Sequence, residues 1–476
     1  MRTPMTVMTR VGLVARSRLA LGLLWAVGLL AAGLAVIFGR MEGYERAAEL
    51  GPHTSPCAMP PLPAGYPEQP AITIALVATT VIFAAAAALR FRRFLLPLAL
   101  VQLGVSALLV LVGAESVQVP ILTSDHVEAC ERVTGYGWPQ SATAGERVGL
   151  HLSSAGGRPT HVEIARLGAE RTVVHEARGV EVGDHPLPRD AWRHGCDWPV
   201  AHELVVDASW RSGFYEVTCT IEVDGKARTG HAFFVVRPPT GRPSARILLA
   251  LSANTWHAYS ETGGRNLYTG GTAVSLQRPL APGYLHKPLG PGRRATGLHP
   301  PDHPMATHVG YLSLHHLSPW AGSAGWPDWE QPFLAWAERE GYAIDVVINA
   351  DLEDHPGLLA DPGGAGYRLF LSVGHDEYWS GPMRDTVEAF TARGGNAAFF
   401  SGNTAFWQVR LEDHTPEGPA ATMVGYKAQF KSDPVFGTDR VGELTSIWSD
   451  HLIGRPENQM TGVSFARGGY HRIGRV

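Results

Sequence analysis

The chain has 476 residues and a formal net charge of -4, from 40 basic and 44 acidic side chains. That length accommodates two or three domains, and a near balance of charge without a long basic run excludes nucleic acid as a partner. None of the four cysteines has CxxC spacing, which argues against a zinc ribbon.

Residues 1–115 read as a membrane region. Leu19–Phe38, Ala71–Leu89 and Phe94–Val112 are apolar and uncharged, with the length of ~20 residues that a spanning helix requires. Arg2, Arg10, Arg16 and Arg18 precede the first stretch, and Arg90, Arg92 and Arg93 separate the second from the third. Cationic flanks stay on the cytoplasmic side, so the expectation is a multi-pass protein with a cytoplasmic N-terminus and everything after Val112 extracytoplasmic. The first stretch also fits a cleaved signal peptide, but its length and the two that follow favour retention. Cys57, Cys130, Cys196 and Cys219 then all fall on the oxidising side, with the pairing among the last three open.

From residue 125 to 238 the chain reads as short strands rich in Val, Thr and aromatics, among them RVGLHLS, GFYEVTCTIEV and GHAFFVVRP. Gly, Pro and Asp turns separate them, which predicts a β-sandwich of immunoglobulin-like type. PPTGRPS, residues 238–244, marks a boundary. From 245 to 476 apolar strands (ARILLALS, YAIDVVIN, YRLFLSVG, NAAFFSG) alternate with amphipathic segments (WEQPFLAWAEREG, GPMRDTVEAFTARG). That alternation predicts an α/β domain with a mainly parallel, glutamine-amidotransferase-like sheet, whose ligands bind beyond the carboxyl ends of the strands.

Three of those strand ends carry unusual polar clusters: NTWHAYSETGGRNLY, GHDEYWS and SGNTAFW. A turn has no use for His, Glu and Tyr in succession. Glu377 is a hard oxygen ligand, and phenolates from Tyr259 and Tyr268 suit a ferric ion or another strongly acidic metal. His375 is two positions from Glu377 and shares its side of an extended segment, so one could hold a metal while the other moves a proton. Asn403 could donate to a carbonyl oxygen as charge develops. Each has a structural alternative: the tyrosines as half-buried aromatics, His375 as a hydrogen-bonding core residue, Asn403 as a turn former. Asp376 is expected to cap the helix beginning near Gly381 or to face solvent. His286, His299, His303 and His308 fall in a Pro/Gly-rich stretch that reads as a long surface loop, a possible lid. HExxH and GxSxG are absent, so zinc metalloprotease and serine hydrolase readings lack their anchors.

Taken in order, NTWHAYSETGGRNLY, QRPL, GHDEYWS, GGNAAFFSGNTAFW and LIGRPENQMTGVSF resemble the large (β) subunit of N,N-dimethylformamidase and its relatives, over roughly 245–465. The resemblance implies an amidohydrolase acting on a small amide or a related C–N bond, with a mononuclear ferric ion held by Tyr259, Tyr268 and Glu377. It implies His375 as a base and Asn403 lining the site. Zinc or another metal at the same ligands remains open. The family's separate small subunit leaves no trace here, and a homo-oligomer is compatible with the chain. The combined expectation is a membrane-anchored, extracytoplasmic iron amidohydrolase. The alternative is a cell-surface binding or scaffold protein with a degenerate α/β domain.

Overall fold

The computed structural model describes residues 132–464, apart from 290–292, 294–311, 313–314, 316, 363 and 415–417. All of these belong to one contact unit, made of Pro52–Ala58 and Ser124–Val476.

The first eight strands are β1 (Val133–Trp138), β2 (Ser141–Ala142), β3 (Arg147–Ser154), β4 (Thr160–Leu167), β5 (Arg171–Val180), β6 (Val200–Val205), β7 (Gly213–Val223) and β8 (Lys226–Val236). They form two sheets, in the orders β1-β3-β6 and β2-β8-β7-β4-β5. Alternation along β7 sends Tyr215, Val217, Cys219 and Ile221 into a core shared with Val148, Leu150 and Leu152 of β3. Phe214 and Glu216 therefore face the opposite side, away from that core.

The rest comprises β9 (Ile247–Leu251), α1 (Ala253–Tyr259), β10 (Ala273–Ser275), α2 (Glu330–Arg339), β11 (Ile344–Ile348), β12 (Leu369–His375), β13 (Tyr378–Ser380), α3 (Gly381–Ala392), β14 (Asn396–Gly402), β15 (Trp407–Glu412) and β16 (Thr422–Val424). β11-β9-β12-β14 is a parallel sheet, and β10-β16-β15-β13 is mixed. Leu369 pairs with both Ile247 and Asn396, so the carboxyl ends of β9, β12 and β14 reach one rim. α3 forms where Ser380 accepts the Met383 N–H at 3.3 Å, and its Met383, Val387 and Phe390, at i, i+4 and i+7, are buried. Gly394, at φ 93°, lets the chain leave the helix.

One hydrophobic core crosses from the sandwich into the parallel sheet. Leu167, Phe214 and Phe233 pack in it beside Leu248, Leu249 and Trp256, with Phe214 stacked on Trp326 at 4.1 Å. Arg166 and Glu338 form a buried ion pair across the same junction, and Glu338 also accepts the Ala169 N–H at 2.8 Å.

Several sequence-based expectations need correction. Among the described residues no helix is long and apolar enough to cross a membrane. The longest, α3, has 12 residues, when a span needs ~20. The fold is instead rich in sheet, and the fold class with N-terminal transmembrane helices is overturned. The multi-pass placement, with an extracytoplasmic C-terminal part, goes with it. The stretches 19–38, 71–89 and 94–112 lie outside the described residues, as do Cys57 and Cys130. Cys196 and Cys219 are buried free thiols in separate hydrophobic clusters, so they are not a disulfide pair.

Candidate functional site

The rim of the parallel sheet gathers four of the five side chains singled out above. α1 follows β9 directly and is buried along its whole length, which carries Tyr259 to the rim in its last turn. The chain then loops back: the Leu267 N–H donates to Ala258 O at 3.0 Å, and Asn266 Nδ2 donates to Tyr259 O at 2.7 Å. That loop lays Tyr268 against Tyr259, with ring centroids 4.5 Å apart. His375 ends β12, and the Glu377 N–H is fixed on Thr255 Oγ1 at 3.0 Å. Gly374 has φ 96°, and a Cβ there would lie 2.8 Å from that of Trp329, so only glycine lets β12 deliver His375.

The Glu377 carboxylate is the hub. Tyr259 Oη donates to its Oε2 at 2.8 Å, Tyr268 Oη to its Oε1 at 2.7 Å, and Trp407 Nε1 to Oε1 at 2.9 Å. The two phenol oxygens are also 2.8 Å apart. Three short oxygen–oxygen contacts thus share only two hydroxyl protons, which leaves one edge with facing lone pairs. Such a set of hard oxygens fits a small, strongly acidic cation better than it fits its own hydrogen bonds. Donors about 2 Å from an octahedral ion stand about 2.8 Å apart.

His375 Nε2 is 3.1 Å from Glu377 Oε2, while Nδ1 donates to Ser323 O at 2.5 Å. Burial opposes charge on this imidazole, but the contact with Glu377 outweighs it and raises the pKa above the usual value. Burial likewise works against the Glu377 carboxylate, and the contact with His375 overcomes it and lowers the pKa. Both phenols are pushed up, by burial first and then by the Glu377 charge, so they stay protonated without a cation.

Asn403, with φ 51°, lines the adjoining cleft of about 480 Å³ together with Tyr259, His375, Trp329 and Ser323. It follows Gly402, the register partner of His375. Asp376 neither caps α3 nor meets solvent. It is buried, accepts from Ser372 Oγ at 2.7 Å, and burial pushes its pKa up to about 6. Ser380 is the cap instead.

Sequence reasoning missed two contributors. Lys427 Nζ lies 3.1 Å from the centre of the Tyr268 ring and donates to Tyr378 Oη at 2.9 Å, and burial pushes its pKa down to about 7. Trp320 stacks on Tyr268, with ring centroids 5.6 Å apart. A second group able to hold a metal, Glu216, His231 and His286, lies apart from the expected ligands.

Hard-oxygen side chains thus gather at the carboxyl rim of a parallel sheet, the place where such sheets ordinarily bind ligands. Residues 161–475 match the family model described as N,N-dimethylformamidase beta subunit-like, C-terminal. That is well over half of the chain, and the chain belongs to this family. It is similar to the N,N-dimethylformamidase beta subunit of Paracoccus aminophilus, at 25% identity over 233 residues, covering 46% of this chain and 29% of that protein. The chain thus spans less than a third of the curated relative it matches. Among solved structures it shares a TM-score of 0.14 and 12% identity with a beta-glucuronidase of Parabacteroides merdae, over 23% of this chain and 13% of the other. A likeness that low carries no argument.

Proposed function

We propose that the chain is a metal-dependent amidohydrolase acting on a small amide, with iron held by Tyr259, Tyr268 and Glu377. The observation that carries this reading is the set of three oxygen contacts of 2.7–2.8 Å sharing two protons. Family membership and the printed activity of the Paracoccus relative support the amide as substrate class. A ferric ion there would supply a Lewis acid for the amide carbonyl and a drive to strip the phenol protons.

The chain's own residues do the rest. His375, held in one orientation by Ser323 O, presents Nε2 toward the cluster and can take up and return a proton. Asn403 stands on the cleft wall, where its amide can meet a carbonyl oxygen. Lys427, over the Tyr268 ring and donating to Tyr378 Oη, holds that side of the cluster in place. A cleft of about 480 Å³ suits a small substrate.

The test is metal content and the visible spectrum of the purified chain. About one iron per chain, with a tyrosinate charge-transfer band lost in Tyr259→Phe, is the expected result. Folded protein that binds no iron and hydrolyses no small amide would overturn the reading.

A further inference from the structure

We propose that Glu216, His231 and His286 form a second metal site, which takes a divalent cation of the zinc class and clips the loop bearing His286 onto the sandwich. The site is independent of the tyrosine cluster and shares no residue with it.

The sheet register builds two thirds of it. Glu216 of β7 pairs with Phe233 of β8, and Thr218 pairs with His231. Glu216 and His231 are therefore diagonal neighbours on one face. It is the face bearing Phe214 and Phe233, which looks away from the inner sandwich core. His286 arrives from the segment after β10. His231 Nδ1 and His286 Nδ1 lie 3.2 and 3.5 Å from the same oxygen, Glu216 Oε1. All three ligand atoms lie within 4.8 Å of one another. Donors about 2.05 Å from a tetrahedral zinc stand about 3.3 Å apart.

The two imidazoles are stacked, with centroids 4.4 Å apart and planes within 6°. Parallel rings point their in-plane Nδ1 lone pairs side by side, so ligation of one cation requires one ring to turn about its side-chain torsions, a motion the half-exposed His286 can make. His231 Nδ1 is buried and makes no aligned hydrogen bond, as a nitrogen lone pair awaiting a metal would. Glu216 Oε2 faces Arg171 Nε at 3.8 Å, and Arg171 is itself paired with Glu163, which leaves Oε1 for the cation. Two imidazole nitrogens and one carboxylate oxygen are a zinc-type donor set with a position left for water.

The clip reaches the catalytic cleft through the next residue. Lys287 Nζ donates to Ala321 O and Asp328 Oδ1, both at 2.6 Å. Between those acceptors lies Ser323, whose carbonyl holds His375. A cation at Glu216 would thus brace the cleft wall from outside.

The test uses the full chain in a Glu377→Gln background, stripped with a chelator and then dialysed against zinc or cobalt. We expect one cation per chain, a visible cobalt spectrum of tetrahedral type, and a rise in Tm with zinc. His286, with half its side chain exposed, can be changed without loss of fold, and adding His286→Gln should abolish all three signals. Zinc retained in full by both His286→Gln and His231→Gln would overturn the site. So would a Glu377→Gln protein that binds no zinc. Whether Glu377→Gln loses iron is a separate readout, and it bears only on the proposed function.

Discussion

Two clusters of ligand side chains share this molecule and differ in almost every physical respect. Around Glu377 the donors are phenols and a carboxylate, packed among Trp407, Trp320 and Lys427 at the end of a parallel sheet. Around Glu216 they are imidazoles on an antiparallel hairpin and a loop, with His286 half exposed. The first is short of protons and suits a hard trivalent ion; the second offers nitrogen lone pairs and suits a softer divalent one. If both proposals hold, the contrast teaches that donor chemistry, more than the number of ligands, sorts a chemical site from a structural one.

The largest expected effect falls on the oxygen cluster. Glu377→Gln should lower kcat/KM on a small amide by at least about a thousandfold, measured with iron-loaded protein, while leaving zinc binding at the imidazole cluster intact. A near wild-type rate would erase the distinction between the two clusters. Next comes the junction on which both depend. Glu338→Ala strands Arg166, whose side chain is 9% exposed, and should cost about 3 kcal/mol of stability in urea unfolding. His375→Gln should slow turnover about a hundredfold without loss of iron, a split that stoichiometry and rate resolve together.

The smallest effect tests the frame behind the oxygen cluster. Asp433 accepts from Arg410 Nη1 at 2.9 Å, Thr445 N at 3.0 Å and Thr445 Oγ1 at 2.7 Å. Thr445 O in turn receives the Lys427 N–H at 2.8 Å. Burial would raise the Asp433 pKa, but these partners outweigh it and hold it below the ordinary 3.8. A depressed carboxyl contributes its stability above that ordinary value and loses it as pH falls through the native one. Asp433→Asn should therefore cost about 1–2 kcal/mol at pH 7, and progressively less under acid, in denaturation midpoints taken from pH 7 to 2.

Much of the oxygen cluster could be picked from sequence because His375 and Glu377 fall two apart after an apolar strand, and the flanking motifs keep their order. Lys427 and Trp320 could not, since each reaches Tyr268 from a distant segment that follows no pattern. The imidazole cluster was hidden for a related reason: only the hairpin register sets Glu216 beside His231, and His286 read as one histidine among several in a loop. Asp376 misled because a carboxylate before a helix is ordinarily a cap, yet Ser372 and Asn349 hold it in the interior. The membrane expectation rested on apolar, uncharged length and on flanking arginines, and no described helix provides such a span.

The shared core also sets how the molecule comes apart. Phe214 and Phe233 belong to the same packed cluster as Leu249, Trp256 and Trp326, so the outer face of the sandwich is an interior surface of the whole. Heat should melt both halves together, as a single calorimetric peak. Excising the sandwich at residues 238–244 would lay bare an aromatic, adhesive face, so neither half is a self-contained folding unit.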